Sequence, residues 1–175
     1  HEPFIMSSIK LLAFDRFPEQ PLEKLPRVEL MVDSSVVLPG RPLFLPPVAE
    51  QYDIELLPAV KISRLGKNIA PKFARRYYDT FSLLVRVVPH GVGLSTSLLV
   101  AFDSSVAEGI FIPFPSDPVI EVALDSRVIA RLTADRLLTD ETVALAGKYF
   151  TLKHGDIIAP CRLTTGLTAM IDTRL

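Results

Sequence analysis

Apolar residues fall into short runs, separated by turn residues along the whole chain. Ile9 to Phe14 is a continuous apolar stretch of strand length, the pattern of a strand buried on both faces. Glu29 to Val32 and Val36 to Leu38 predict two further strands around Asp33-Ser34-Ser35, and Pro39-Gly40 predicts a turn. Leu43-Phe44-Leu45 is halted by Pro46-Pro47. Tyr52 to Leu57 alternates loosely, and Ala59 to Ile62 continues it past Pro58. Ser82 to Val88 is a β-rich run broken by His90-Gly91-Val92-Gly93. Leu98 to Phe102 is apolar, and Gly109 to Pro113 predicts a strand ending at a proline. The clearest hairpin is Val119 to Leu124, a turn at Asp125-Ser126-Arg127, and Val128 to Thr133.

Helical spacing is rare. Phe73, Ala74, Tyr77 and Tyr78 give a short helix over 72–78, with Pro71 at its start. Thr139-Asp140-Glu141 opens a longer one, expected to take Thr139 as its capping oxygen. Val143, Leu145, Ala146 and Phe150 line it, and Lys148 complements the dipole in its last turn. The chain then turns at Gly155-Asp156 and resumes as a strand at Ile157-Ile158. Fifteen prolines, many in the first half, argue against long helices there. The fold class is therefore α+β, mainly β, and 175 residues are most simply one domain over 1–175.

Composition narrows the partners. A formal net charge of -1 gives no electrostatic case for nucleic acid or an anionic membrane. No apolar run approaches the length of a membrane span. Hydrophobic residues at 49% and a mean hydropathy of +0.33 suggest a large buried interface, hence a homodimer. The single cysteine, Cys161, excludes an internal disulfide and a cysteine-based zinc site. With no export signal, the expected compartment is the cytoplasm. Residues 1–6 are expected to be disordered or a remnant of expression, with Met6 as the native start.

Several runs together resemble the fumarylacetoacetate hydrolase family. Thr151 to Ile158 is similar to its "TLKPGDII" strand entry, and Tyr52-Asp53-Ile54-Glu55-Leu56 to its "YExEL" metal motif. Val36 to Leu45 resembles "LVGPGDPIVLP", and Lys61 to Ile69 resembles "VIGKxGKNI". Ala101 to Ser105 resembles "KSFDTF", and Val119 to Thr133 corresponds to the family's ribbon. The resemblance implies a mixed β-roll with a few short helices, like the family's C-terminal domain. It also implies Mg²⁺ or Mn²⁺ held by three carboxylates, polarising the dicarbonyl oxygens of acylpyruvate-like substrates.

Residue by residue, the implied site is incomplete. Asp53 and Glu55 match the first two ligands, and residues two apart on a strand share a face. A second register places the pair at Glu55 and Leu57, with a bulge at Pro58 reconciling the two. The third ligand falls near Arg86, which brings its own positive charge. The active-site lysine maps to Val100, beside Asp103. The N-terminal histidine segment maps to Asp15 to Glu19, with no histidine. The substrate-binding threonine turn reads Pro160-Cys161-Arg162. Arg86, Val100, Asp103, Cys161 and Arg162 would then line a vestigial pocket, with Arg86 pairing to Asp53 or Glu55. His90 and His154 read as turn residues, and Cys161 as a small buried apolar residue.

These residues imply a metal-free, non-catalytic relative needing no cofactor. It would be kept as a binding, structural or regulatory protein, with a small ligand or an active paralogue as partner. The alternative is a divergent hydrolase or isomerase whose metal site is rebuilt from Asp53, Glu55 and Asp103 or Glu108.

Overall fold

The computed structural model describes residues 8–171, so the expectation for residues 1–6 lies outside it. The strands are β1 (Lys10–Phe14), β2 (Val28–Val32), β3 (Val36–Val37), β4 (Gln51–Ile62), β5 (Tyr78–Pro89), β6 (Val106–Ala107), β7 (Ile112–Pro113), β8 (Val119–Leu124), β9 (Arg127–Thr133), β10 (Ile157–Ala159) and β11 (Leu163–Met170). Three short α-helices join them: α1 (Thr96–Val100), α2 (Ala134–Leu137) and α3 (Thr139–Tyr149). The mainly-β class with a few short helices is what the sequence predicts.

Nine strands form one mixed sheet in the order β2-β1-β10-β4-β5-β6-β3, with β11 also on β4 and β7 also on β5. The β1–β10 and β3–β6 pairs are parallel and the others antiparallel. Its spine is the β4–β5 pair, in register from Tyr52↔Pro89 to Ile62↔Tyr78. Pro58 pairs opposite Leu83 without a break, and the irregularity lies instead between Lys61 and Ile62. On the other side of β4, β11 ends at Leu56 and β10 reaches only Val60. Pro58 therefore faces a gap between strands, where a missing N–H costs least.

Strand alternation divides the core. Leu12, Phe14, Val60 and Ile62 point to one face, where they meet Ile69, Val143 and Ala146 under α3. Leu11, Ala13, Leu57, Ala59 and Leu84 point to the other. Both faces are buried, so β1 and the second half of β4 read as near-continuous apolar runs. The hairpin β8–β9 is a separate sheet, and Val122 and Leu132 close a third cluster over Leu56, Cys161 and Leu163. Its Asp125 and Ser126 both have positive φ (47° and 64°), the two-residue turn whose twist suits a hairpin.

Three local expectations are corrected. Residues 71–77 form a 3₁₀ helix, with no side-chain cap at Ala70. Thr139 is the first helical residue of α3 rather than its cap. The cap position is Leu138, left-handed at φ 52°, which also ends α2, so one kinked residue serves both helices. Of 109–113, expected as a strand, only Ile112–Pro113 forms one; Leu98 to Val100, read only as apolar, belongs to α1.

The Gly155-Asp156 turn has a structural explanation. Gly155 sits at φ 93° and donates its N–H to the Ile62 carbonyl at 2.8 Å. Asp156 is fully buried, accepts from the Lys10 N–H at 3.0 Å and the Lys153 N–H at 2.8 Å, and pairs with the Lys10 ammonium. The motif thus fastens β1 to β10.

Candidate functional site

The face carrying Leu11, Ala13, Leu57 and Leu84 continues past the core and turns from apolar to charged. On β1 the same parity leads from Ala13 to Asp15, and on β2 from Met31 to Glu29. On β4 it leads from Leu57 to Glu55 and Asp53, and on β5 from Leu84 to Arg86, directly opposite Glu55. Arg162 enters from the β10–β11 connection, whose position is set by its N–H donating to the Arg16 carbonyl at 2.9 Å. A cleft of about 520 Å³ opens over these charges. Val28, Val88, Leu99 and Val100 form its apolar wall, two of them supplied by α1.

The charged side chains alternate in sign along a single ladder. Arg86 Nη1 donates to Glu29 Oε2 at 3.0 Å, and its Nη2 donates to Glu55 Oε2 at 2.9 Å. Arg162 Nη1 reaches Glu55 Oε1 at 3.4 Å, and its Nε donates to Asp15 Oδ1 at 2.8 Å. The Arg162 guanidinium also lies 4.3 Å from the centre of the Phe17 ring. Arg86 is 2% exposed, and its Nε has no partner among the described residues. Burial pushes the Glu29 carboxyl above its ordinary value; Arg86 opposes this, while Asp15 and Glu55 reinforce it. Burial pulls Arg162 down, but Glu55 and Asp15 outweigh it and hold the guanidinium above its ordinary value.

Of the residues singled out in the sequence, Glu55, Arg86, Val100 and Arg162 all line this cleft. Asp53 does not join the ladder; its Oδ2 lies 2.9 Å from His90 Nδ1 in a largely exposed pair. Leu57, the alternative ligand position, is buried in the core. Asp103 is exposed, and neither it nor Glu108 lines the cleft. Cys161 is fully buried in the third cluster, where burial pushes its thiol up to about 11. His154 is an exposed turn residue.

Three residues escaped individual notice in the sequence. Glu29 and Asp15 end the ladder, and only the strand parity relative to Ala13 and Met31 signals them. Arg16 is 4% exposed and its guanidinium donates to six backbone carbonyls, among them Pro160 (3.2 Å), Gln20 (2.8 Å) and Leu137 (2.9 Å). It fixes the segment after β1 against the β10–β11 connection and the end of α2, and so holds Asp15 and Arg162 in place.

A divalent cation is served by several free oxygen ligands. Glu55 instead has both oxygens committed to guanidinium groups, and Glu29 and Asp15 each pair with one of the same two guanidiniums. Among the described residues, no group of three His, Cys, Asp or Glu side chains is placed to hold a metal ion. The residues present do not fit the implied metal.

No protein-family model matches the chain, and no curated protein matches it. Solved structures do. The fumarylpyruvate hydrolase from Pseudomonas aeruginosa, solved with Mn²⁺ and pyruvate, aligns at TM-score 0.69 and 18% identity, over 95% of this chain and 81% of that one. The fold is the fumarylacetoacetate hydrolase fold. The 5-carboxymethyl-2-hydroxymuconate delta-isomerase from Mycobacterium smegmatis aligns at TM-score 0.71 and 20% identity, over 93% of this chain and 70% of that one. The 2-hydroxyhepta-2,4-diene-1,7-dioate isomerase from Mycobacterium marinum aligns at TM-score 0.68 and 18% identity, over 93% and 66%. Hydrolases and isomerases thus share this architecture, and at such identities the likeness concerns the fold.

Proposed function

We propose that this chain is a member of the fumarylacetoacetate hydrolase family that has exchanged its metal ion for arginine. On this reading it is a non-catalytic binding or regulatory protein. The observation that carries the reading is Arg86: nearly fully buried, 2.9 Å from Glu55 and 3.0 Å from Glu29. A cation at this position would meet a fixed positive charge. At about 4 Å and an effective dielectric near 20, that repulsion is worth roughly 4 kcal/mol. On this reading the cleft has no Lewis acid to polarise a dicarbonyl, the role that the resemblance implies for the ion.

No cofactor is part of the reading, nor is nucleic acid or a membrane as partner. Among the described residues, no helix is long and apolar enough to cross a membrane. On the same reading the protein works in the cytoplasm and self-associates as a homodimer. Support for self-association comes from large apolar side chains left open, including Leu30, Val32, Phe44, Ile110 and Met170. Light scattering giving a monomer mass at micromolar concentration would remove the dimer from the account.

The function is tested by calorimetric titration with MnCl₂ and MgCl₂, alongside assays with acylpyruvates. The expected result is no stoichiometric binding and no turnover above the uncatalysed rate. Tight one-to-one binding accompanied by turnover would establish the alternative, a rebuilt hydrolase or isomerase.

A further inference from the structure

We propose that two copies of this chain join edge to edge through β2, antiparallel about a twofold axis at Leu30. The main sheet then continues from one copy into the other. This deepens the self-association proposed above and rests on it, because it names the surface through which the copies meet.

The backbone supplies the first part of the argument. β2 is the outer strand of the main sheet, and among the described residues only β1 pairs with it. The Asp15 N–H donates to the Arg27 carbonyl at 2.9 Å, so Asp15 and Arg27 form a hydrogen-bonded pair at the end of the β1–β2 ladder. Such pairs alternate with open ones in an antiparallel ladder, so the groups of Glu29 and Met31 also face β1. The Lys10 N–H, opposite Val32, follows the same alternation and turns away from β2 to Asp156. The N–H and C=O groups of Val28, Leu30 and Val32 are therefore directed off the edge of the sheet.

This edge is not blunted. Exposed edges ordinarily carry a proline, a bulge or charged side chains that discourage pairing. Val28–Val32 has no proline and no break in register, and its one charge, Glu29, is held by Arg86 on the cleft face. The other face presents Leu30 at 46% exposure and Val32 at 47%. An extended, apolar, unpaired edge is a template for another strand.

Charge selects a second copy as that strand. Arg27 lies three residues before Leu30 and Asp33 three residues after it. Both are exposed, and neither makes an ion pair among the described residues. Antiparallel pairing about Leu30 sets Arg27 of each copy opposite Asp33 of the other, so the match is made twice. The same register sets Val28 opposite Val32 and Leu30 opposite itself. These are the residues whose backbone groups point outward, so each pair exchanges hydrogen bonds in both directions. Glu29 meets Met31, and no like charges face each other. A slip of one residue would set outward-pointing groups against inward-pointing ones and part Arg27 from Asp33. Arg27 also lines the cleft, so the second copy brings Asp33 to the cleft's rim.

The test is the dimer dissociation constant of the full chain and its variants, measured by sedimentation. The expected result is a dimer at micromolar concentration. Leu30→Lys sets two ammonium groups face to face at the axis and should weaken it at least about tenfold. Arg27→Asp and Asp33→Arg should each weaken it by about tenfold, and the two exchanges combined should restore the parent's strength. A melting check confirms that each variant folds, and the charge exchanges suffice if Leu30→Lys does not. A monomeric parent overturns both this inference and the self-association reading. A dimer unmoved by the folded single variants, a combined exchange that fails to recover, or a mass that grows without limit with concentration overturns this inference alone.

Discussion

At the scale of single residues, the account turns on an arginine occupying the centre of a carboxylate cluster. Removing one partner of a buried ion pair strands the other, and that usually costs more than the pair contributes. Arg86→Met should therefore destabilise the protein by roughly 3–5 kcal/mol, since Glu29 and Glu55 would then face each other without a cation between them. Urea unfolding measures it. Combining Arg86→Met with Glu29→Gln and Glu55→Gln should return much of the loss. A single substitution that left stability unchanged would show that the ladder does not hold these strands. Glu55 and Arg86 were visible in the sequence because they fall within motifs on long strands. Glu29 and Asp15 were not: one is a lone acid within short β2 and the other follows short β1, and only pairing with Ala13 and Arg27 brings them to the same cleft.

At the scale of elements, local signals were legible where they repeat and obscure where one residue serves two neighbours. The β8–β9 hairpin and the β4–β5 spine follow from alternation and turn chemistry. The cap of α3 does not, because Leu138 is forced left-handed by the end of α2 before it. Ser126 also adopts a left-handed conformation, at φ 64° in the hairpin turn, which glycine tolerates without a Cβ penalty. Ser126→Gly should raise stability by about 1 kcal/mol, read as a higher melting temperature. The β1–β10 fastening carries the opposite expectation. Asp156→Ala removes a fully buried carboxylate and leaves the part-buried Lys10 and Lys153 N–H groups without their acceptor. A loss of roughly 3 kcal/mol should follow, with faster amide exchange concentrated in β1 and β10. The sequence marked this run as a turn; that its aspartate is a buried tie to Lys10 needed the parallel pairing of two segments about 146 residues apart.

At the scale of the whole molecule, the ladder couples stability to pH. The folded chain holds the Glu29 carboxyl above its ordinary value, so across that window the folded state binds a proton that the unfolded state releases. Stability from this group is full below the ordinary carboxylate range and falls as pH rises through the raised value. Glu29→Gln should remove that fall, so the stability gap between variant and parent should grow in favour of the variant as pH rises across the window. Chemical unfolding at a series of pH values checks this, and a gap that shrinks instead would contradict the assigned cause. The central claim is that arginine stands where the relatives' fold would carry a metal. Its most direct test is an electron paramagnetic resonance titration of the intact protein with Mn²⁺. The account predicts that the six-line signal of free Mn²⁺ grows in proportion to the metal added, as in buffer alone. Loss of that signal up to one equivalent, restored by substituting Glu55, would contradict it.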